Sequence, residues 1–144
     1  MNEYVLGADI GSGSVKLTLL SREGIIAGTA GCEYPTHYPQ VGWCEQDPED
    51  WCKAFATALG CLLKETGVKA EQIKALSVDA ATHTAVLLDE NYRVIRNAIL
   101  WTDQRCKAQV QWLKDHCLDT VIFFSLPDAY SLNLHQEQHH RKHL

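Results

Sequence analysis

Apolar residues open the chain in three short β-prone runs, 4–10, 15–20 and 25–30. They are cut apart by Gly11-Ser12-Gly13-Ser14 and by Ser21-Arg22-Glu23-Gly24. Connections this short predict an antiparallel meander of three strands. The next stretch, 32–46, carries Pro35, Pro39 and Gly42 and has no period, which predicts a loop wrapping a surface. A helix follows: Asp47 can cap it, Pro48 suits its first position, and Glu49 and Asp50 complement its N-terminal dipole. Trp51, Phe55, Ala58, Leu59 and Leu62 recur at helical spacing before Gly67 closes the segment, so one apolar face is expected to pack on the sheet.

Residues 73–79 read as a fourth strand, which after a helical crossover is expected to run parallel to a meander strand. A polar interruption at 80–84 precedes an extended run at 85–88, a hairpin turn at 89–92 and a further run at 94–101. A second helix is predicted from Thr102 or Asp103 to Cys117, with Val110 and Leu113 on its apolar face. Residues 121–126 resemble one more strand, and the remainder is polar without a packing face. The pattern predicts an α/β fold with a mixed sheet and flanking helices, with no internal repeat and no second domain.

Composition narrows the function. The 144 residues, 46% hydrophobic and 22% charged, match one globular domain or a piece of a larger one. No apolar run reaches the roughly 18 residues of a membrane span, and residues 1–4 lack a secretory leader's basic region. The expected location is therefore cytoplasmic, with no membrane partner. A net charge of −5 gives no basic footprint for nucleic acid and favours small-molecule chemistry. The six cysteines include no C-x-x-C pair and are read as free thiols.

The turn at 11–14 is the strongest candidate site. Glycine lets backbone N–H groups approach an anion closely. Asp9, at the end of the first run, and Lys16, early in the second, would face the same anion, a combination that fits a nucleotide phosphate with its magnesium. Read singly, each residue also has a plainer explanation. Asp9 could close a strand before an ordinary hairpin, and Lys16 could be a solvent-facing strand residue. His83 could sit on an exposed loop, and Trp101 could be core. Asp103 could be a helix N-cap, with Arg105 pairing to it. Glu45 and Asp47 are assigned to structure, as loop anchor and cap. The i,i+4 pair His139 and His143 lacks other placed ligands for a metal.

Three stretches taken together resemble the N-terminal part of the FGGY family of carbohydrate kinases, particularly its xylulokinase-like members. They are Gly7-Ala-Asp9-Ile-Gly11-Ser-Gly-Ser-Val-Lys16; Gly42-Trp43-Cys44-Glu45-Gln46-Asp47-Pro48-Glu49-Asp50-Trp51; and Leu76-Ser-Val-Asp-Ala-Ala-Thr-His83 through Ala98-Ile-Leu-Trp101-Thr-Asp103-Gln-Arg105. The resemblance implies an actin-like, ribonuclease H-like ATPase lobe with nucleotide and sugar in a cleft. It implies that Asp9 holds Mg2+ through water, that Gly11, Ser12, Gly13 and Ser14 line the phosphate path of ATP, and that Lys16 approaches the transferred phosphoryl group. His83 falls where xylulokinases place a sugar-contacting histidine, although Ala81-Thr82 replaces the usual pair before it. Trp101 matches a tryptophan beside the sugar. Asp103 and Arg105 match the family's Trp-x-Asp-x-Arg segment, where they bind hydroxyls or hold one another.

The family's proton-accepting aspartate lies in a later segment, so the resemblance places no general base in this chain. The expectation is that 1–120 forms the first part of the kinase N-terminal domain, that 121–144 is a divergent or truncated tail, and that the chain alone is inactive. An incomplete lobe is also expected to self-associate through exposed apolar surface. The competing expectations are a non-catalytic nucleotide-binding or interaction module of the same fold, and a degenerate gene product.

Overall fold

The computed structural model describes residues 3–116. Strand β1 (Tyr4–Ile10), β2 (Ser14–Ser21) and β3 (Ile26–Glu33) form the antiparallel meander, joined by the two turns read from the sequence. Strand β3 runs three residues past the predicted run, because its pairing with β2 continues through Val15↔Cys32 and Ser14↔Glu33. Helix α1 (Pro48–Thr66) carries the chain across the sheet. Strand β5 (Ile73–Ala80) then pairs parallel to β1, giving the order β3-β2-β1-β5.

Alternation along the strands sorts side chains between the two faces. Leu6 and Ala8 of β1 and Val15, Leu17 and Leu19 of β2 are buried on the face covered by α1, whose Ala54, Ala58 and Leu62 pack against them. Alanine at two of these helical positions permits close approach. Opposite them on β3 the approach is closer still, since a Cβ on Gly28 would lie 2.5 Å from Thr66 Cγ2. Helix α1 begins as expected, with the Asp47 carboxylate accepting the Glu49 N–H at 2.9 Å. It ends with Gly67 in the left-handed region at φ 67°, donating its N–H to the Leu63 carbonyl.

Three expectations need correction. The loop 32–46 is not free of regular structure, because Glu45–Gln46 forms a short strand β4 that pairs antiparallel with β6 (Ala98–Ile99). The extended runs flanking the hairpin contribute only the bridges Ala85↔Ile99 and Leu88↔Val94 outside β6. The hairpin turn itself is present, with Asp89 Oδ1 accepting the N–H groups of Asn91 and Arg93. Finally, α2 (Lys107–His116) starts later than Thr102 or Asp103. The Asp103 carboxylate is drawn inward to other partners instead of capping a helix.

Of the cysteines among the described residues, Cys44 is buried, while Cys52 and Cys61 lie on the exposed side of α1; all are free. The strand expected at 121–126, the end of α2 at Cys117, and His139 and His143 lie outside the described residues.

Candidate functional site

Because β1 and β5 are parallel, their C-terminal ends lie together, and the residues that follow both ends meet there. Beyond β1 comes the turn of Gly11, Ser12, Gly13 and Ser14. Beyond β5, Ala81 donates its N–H to the Ile10 carbonyl at 3.0 Å, and Ala85 bridges Ile99. The exposed His83 is held between those two anchors, in the left-handed region at φ 58°. Trp101 follows β6 by two residues and is 48% exposed, so a substantial part of its ring is available to a ligand. Topology thus gathers the turn, His83 and the Trp101 segment at one end of the sheet.

Asp9 and Lys16 are direct cross-strand neighbours on the face opposite α1, with Lys16 Nζ 3.6 Å from Asp9 Oδ2. Both side chains are largely exposed, so their mutual attraction contributes little to stability. They are free to re-partner with a ligand. Asp79 is the register partner of Asp9 on β5, placing a second carboxylate on the same face.

Inside the turn, every carbonyl is occupied by the protein itself. The Tyr34 hydroxyl donates to the Gly11 carbonyl and, at 3.2 Å, to that of Ser14. Gln46 Nε2 donates to the Ser12 carbonyl at 2.8 Å, and the Tyr34 backbone N–H donates to that of Gly13 at 3.2 Å. The Gly11 N–H closes the turn onto the Ser14 carbonyl at 3.0 Å. The N–H groups of Ser12 and Gly13, by contrast, make no hydrogen bond among the described residues. A Cβ on Gly13 would meet nothing within 4 Å, so the outer side of the turn is open. Acceptors tied back and donors left free are the arrangement that suits an anion. Burial, with the nearby charge of Asp9, raises the Tyr34 pKa, keeping its phenol protonated as a donor.

The segment carrying Trp101 is held by a buried ion cluster. Asp103 is 4% exposed, and its carboxylate accepts the Cys44 N–H at 2.6 Å as well as a bidentate pair from Arg105 Nε and Nη2 at 2.8 and 2.7 Å. Arg105 Nη2 also reaches Glu45 Oε1 at 2.7 Å, and the guanidinium lies 3.8 Å above the Trp43 ring. Hydrogen bonds from Arg105 hold the Asp103 pKa down to about 2 despite its burial, and the pairing raises that of Arg105. Asp103 and Arg105 therefore hold one another, the second of the two roles expected for them. Glu45 is the loop anchor expected of it.

Sequence reasoning assigned no site role to Tyr34 or Gln46, which shape the turn from behind. A usable signal existed for Gln46: it sits next to Glu45 within one of the matching stretches and is flanked by residues whose roles were read as structural.

The open side of the turn thus presents two free N–H groups, with the Lys16 ammonium and the Asp9 and Asp79 carboxylates on the strands beside it. The described residues contain no cluster of three or more metal-ligating side chains. None of their helices is long and apolar enough to cross a membrane.

The chain is similar to known proteins in sequence and in fold. The chain is 33% identical to the xylulose kinase of Bacillus subtilis over 97% of its own length and 30% of that protein's. To the glycerol kinase of Thermococcus gammatolerans it is 33% identical over 90% and 27%. A solved structure of a xyloylose kinase from Brucella ovis superposes with a TM-score of 0.74 at 34% identity, over 78% of this chain and 24% of that one. The fold is accordingly part of an actin-like ATPase lobe, and the chain spans under a third of the relatives it matches. The family model described as the FGGY family of carbohydrate kinases, N-terminal domain, matches residues 4–124, and the chain belongs to that family.

Proposed function

We propose that this chain supplies the nucleotide-phosphate side and part of the sugar side of an ATP-dependent sugar kinase acting on a ketopentose or related polyol in the cytoplasm. The carrying observation is the turn at 11–14, with its carbonyls bound by Tyr34, Gln46 and Gly11 and its Ser12 and Gly13 N–H groups free. In this reading those N–H groups and the hydroxyls of Ser12 and Ser14 cradle the phosphates. Lys16 turns from Asp9 to the transferred phosphoryl group, and Asp9 holds Mg2+ through water. The magnesium supplies charge neutralisation at the phosphates, where phosphoryl transfer gains most from it. The exposed face of Trp101 covers the C–H side of the sugar, and His83 exchanges hydrogen bonds with a hydroxyl. Asp103 and Arg105 serve the sugar side by fixing the segment on which Trp101 sits.

The names of the matched relatives, xylulose and glycerol kinases, support a small polyhydroxylated acceptor. No residue of the chain is assigned as general base, and the chain alone is proposed to bind without transferring phosphate. It is also proposed to self-associate through exposed apolar residues of β5. Calorimetric titration with Mg·ATP tests the reading: binding is expected, weakened about tenfold or more in Lys16→Met, where a charge-assisted contact of roughly 1.5–3 kcal/mol is lost. Absence of binding, or an unchanged affinity in the variant, contradicts it.

A further inference from the structure

We infer that Gln46 is a positioning residue that joins the anion-binding turn to the Trp101 segment, so that the two halves of the site open and close as one unit. The inference rests on the reading of residues 9–16 as a phosphate site and extends it to the device that sets its distance from the sugar side.

Gln46 is 1% exposed, and its side chain uses both ends. Its Oε1 accepts the Trp51 indole N–H at 2.9 Å, while Nε2 donates to the Ser12 carbonyl at 2.8 Å and to Thr36 Oγ1 at 2.7 Å. The indole is a donor only and the carbonyl an acceptor only, so the amide has a single orientation that satisfies both. Meanwhile the Gln46 backbone lies in β4, opposite Ala98 of β6. Two residues earlier, the Cys44 carbonyl accepts the Leu100 N–H at 3.0 Å and the Cys44 N–H donates to Asp103. Trp101 lies between those two attachments. The side chain of one residue thus grips the turn while its main chain belongs to the platform of Trp101. In-line transfer needs donor and acceptor at a fixed separation, which a rigid link between their two supports provides.

The replacement chemistry is restrictive. Glutamate keeps an acceptor for Trp51 but loses the donor to Ser12, and methionine keeps the shape but loses both polar ends. The test is amide hydrogen exchange on the full chain, followed residue by residue by NMR at increasing urea. In the wild type, the Gly11 and Leu100 amides are expected to exchange through one shared opening with the same denaturant dependence, distinct from the Leu17 and Leu19 amides of the core. In Gln46→Glu and Gln46→Met, both amides are expected to exchange at least about tenfold faster, while Leu17 and Leu19 stay within about twofold. Mg·ATP is expected to slow the Leu100 amide in the wild type but not in Gln46→Glu.

Independent opening of Gly11 and Leu100 in the wild type overturns the inference, even if both variants fail to fold. So does wild-type exchange at both amides in a folded variant, or equal acceleration throughout the core. Shared opening that Mg·ATP leaves unchanged supports the brace and counts against the phosphate reading instead.

Discussion

Leu6 on β1 and Leu76 on β5 are register partners on the same face of the sheet, yet Leu6 is 3% exposed and Leu76 is 53% exposed. The next pair repeats the contrast, with Ala8 buried and Val78 exposed to the same extent as Leu76. Their strands read alike in sequence. What separates them is α1, which packs on β2 and β3 and closes the core that holds Leu6 and Ala8, whereas of β5 only Ile73 packs against that core among the described residues. The covered half is a core in the ordinary sense; β5 is an edge strand that, among the described residues, pairs with β1 and has no packing layer over most of its length. The candidate site sits on the boundary, using the stiffness of β1 and β2 for the turn and the end of β5 for His83.

The contrast can be broken at several strengths. Leu62→Ala, on the buried face of α1 near its C-terminal end, removes a fully buried side chain and is expected to cost about 3 kcal/mol in urea unfolding, whereas Leu76→Ala should cost less than about 1 kcal/mol. Equal costs would show that β5 is as well packed as β2. Asp103→Ala is expected to lose a comparable amount, about 3 kcal/mol, because it leaves the Cys44 N–H without its acceptor and removes the bidentate partner of Arg105, which keeps only Glu45 and the Trp43 ring. Acid titration sharpens the same point. Asp103 has a folded pKa of about 2, below the usual carboxylate value near 3.9, so the unfolded chain binds more protons in that interval. Its contribution to stability is fully present above about pH 5 and is lost as pH falls toward 2; Asp103→Asn should flatten that part of the profile.

A smaller effect is expected at the helix–sheet contact. Gly28→Ala places a Cβ against Thr66 and Leu62 and should destabilise by about 1–3 kcal/mol, unless α1 can withdraw from β3. Smallest is the helix start, where Asp47→Ala should cost about 1 kcal/mol, read by thermal unfolding.

How much of this was legible in the sequence followed from the length of each signal. Strands β1, β2 and β5 and helix α1 carry several periods of alternation or helical repeat, together with Pro48 and Gly67 at the helix ends, so their positions and pairing sense could be read. Strands β4 and β6 have two residues each, too few to carry a period, and the pairing that brings Gln46 to Ala98 was invisible. Asp103 illustrates a different failure. An aspartate before a helical pattern has the local signature of an N-cap, but the half-buried Arg105 guanidinium and an N–H on a loop distant in sequence offered it stronger partners, and the helix began at Lys107 instead. The turn was legible as glycine-rich; that its carbonyls are bound from behind by Tyr34 and Gln46 depends on contacts across 20 residues or more, which no local pattern encodes.

The proposed phosphate site is the turn between β1 and β2, acting through N–H groups the fold leaves free. Chemical-shift mapping of the 144-residue chain with Mg·ATP tests it most directly. The Ser12 and Gly13 amides are expected to move most, with Lys16 following and the Leu17 and Leu19 amides still. Shifts confined to another surface, or none at saturating nucleotide, would contradict it.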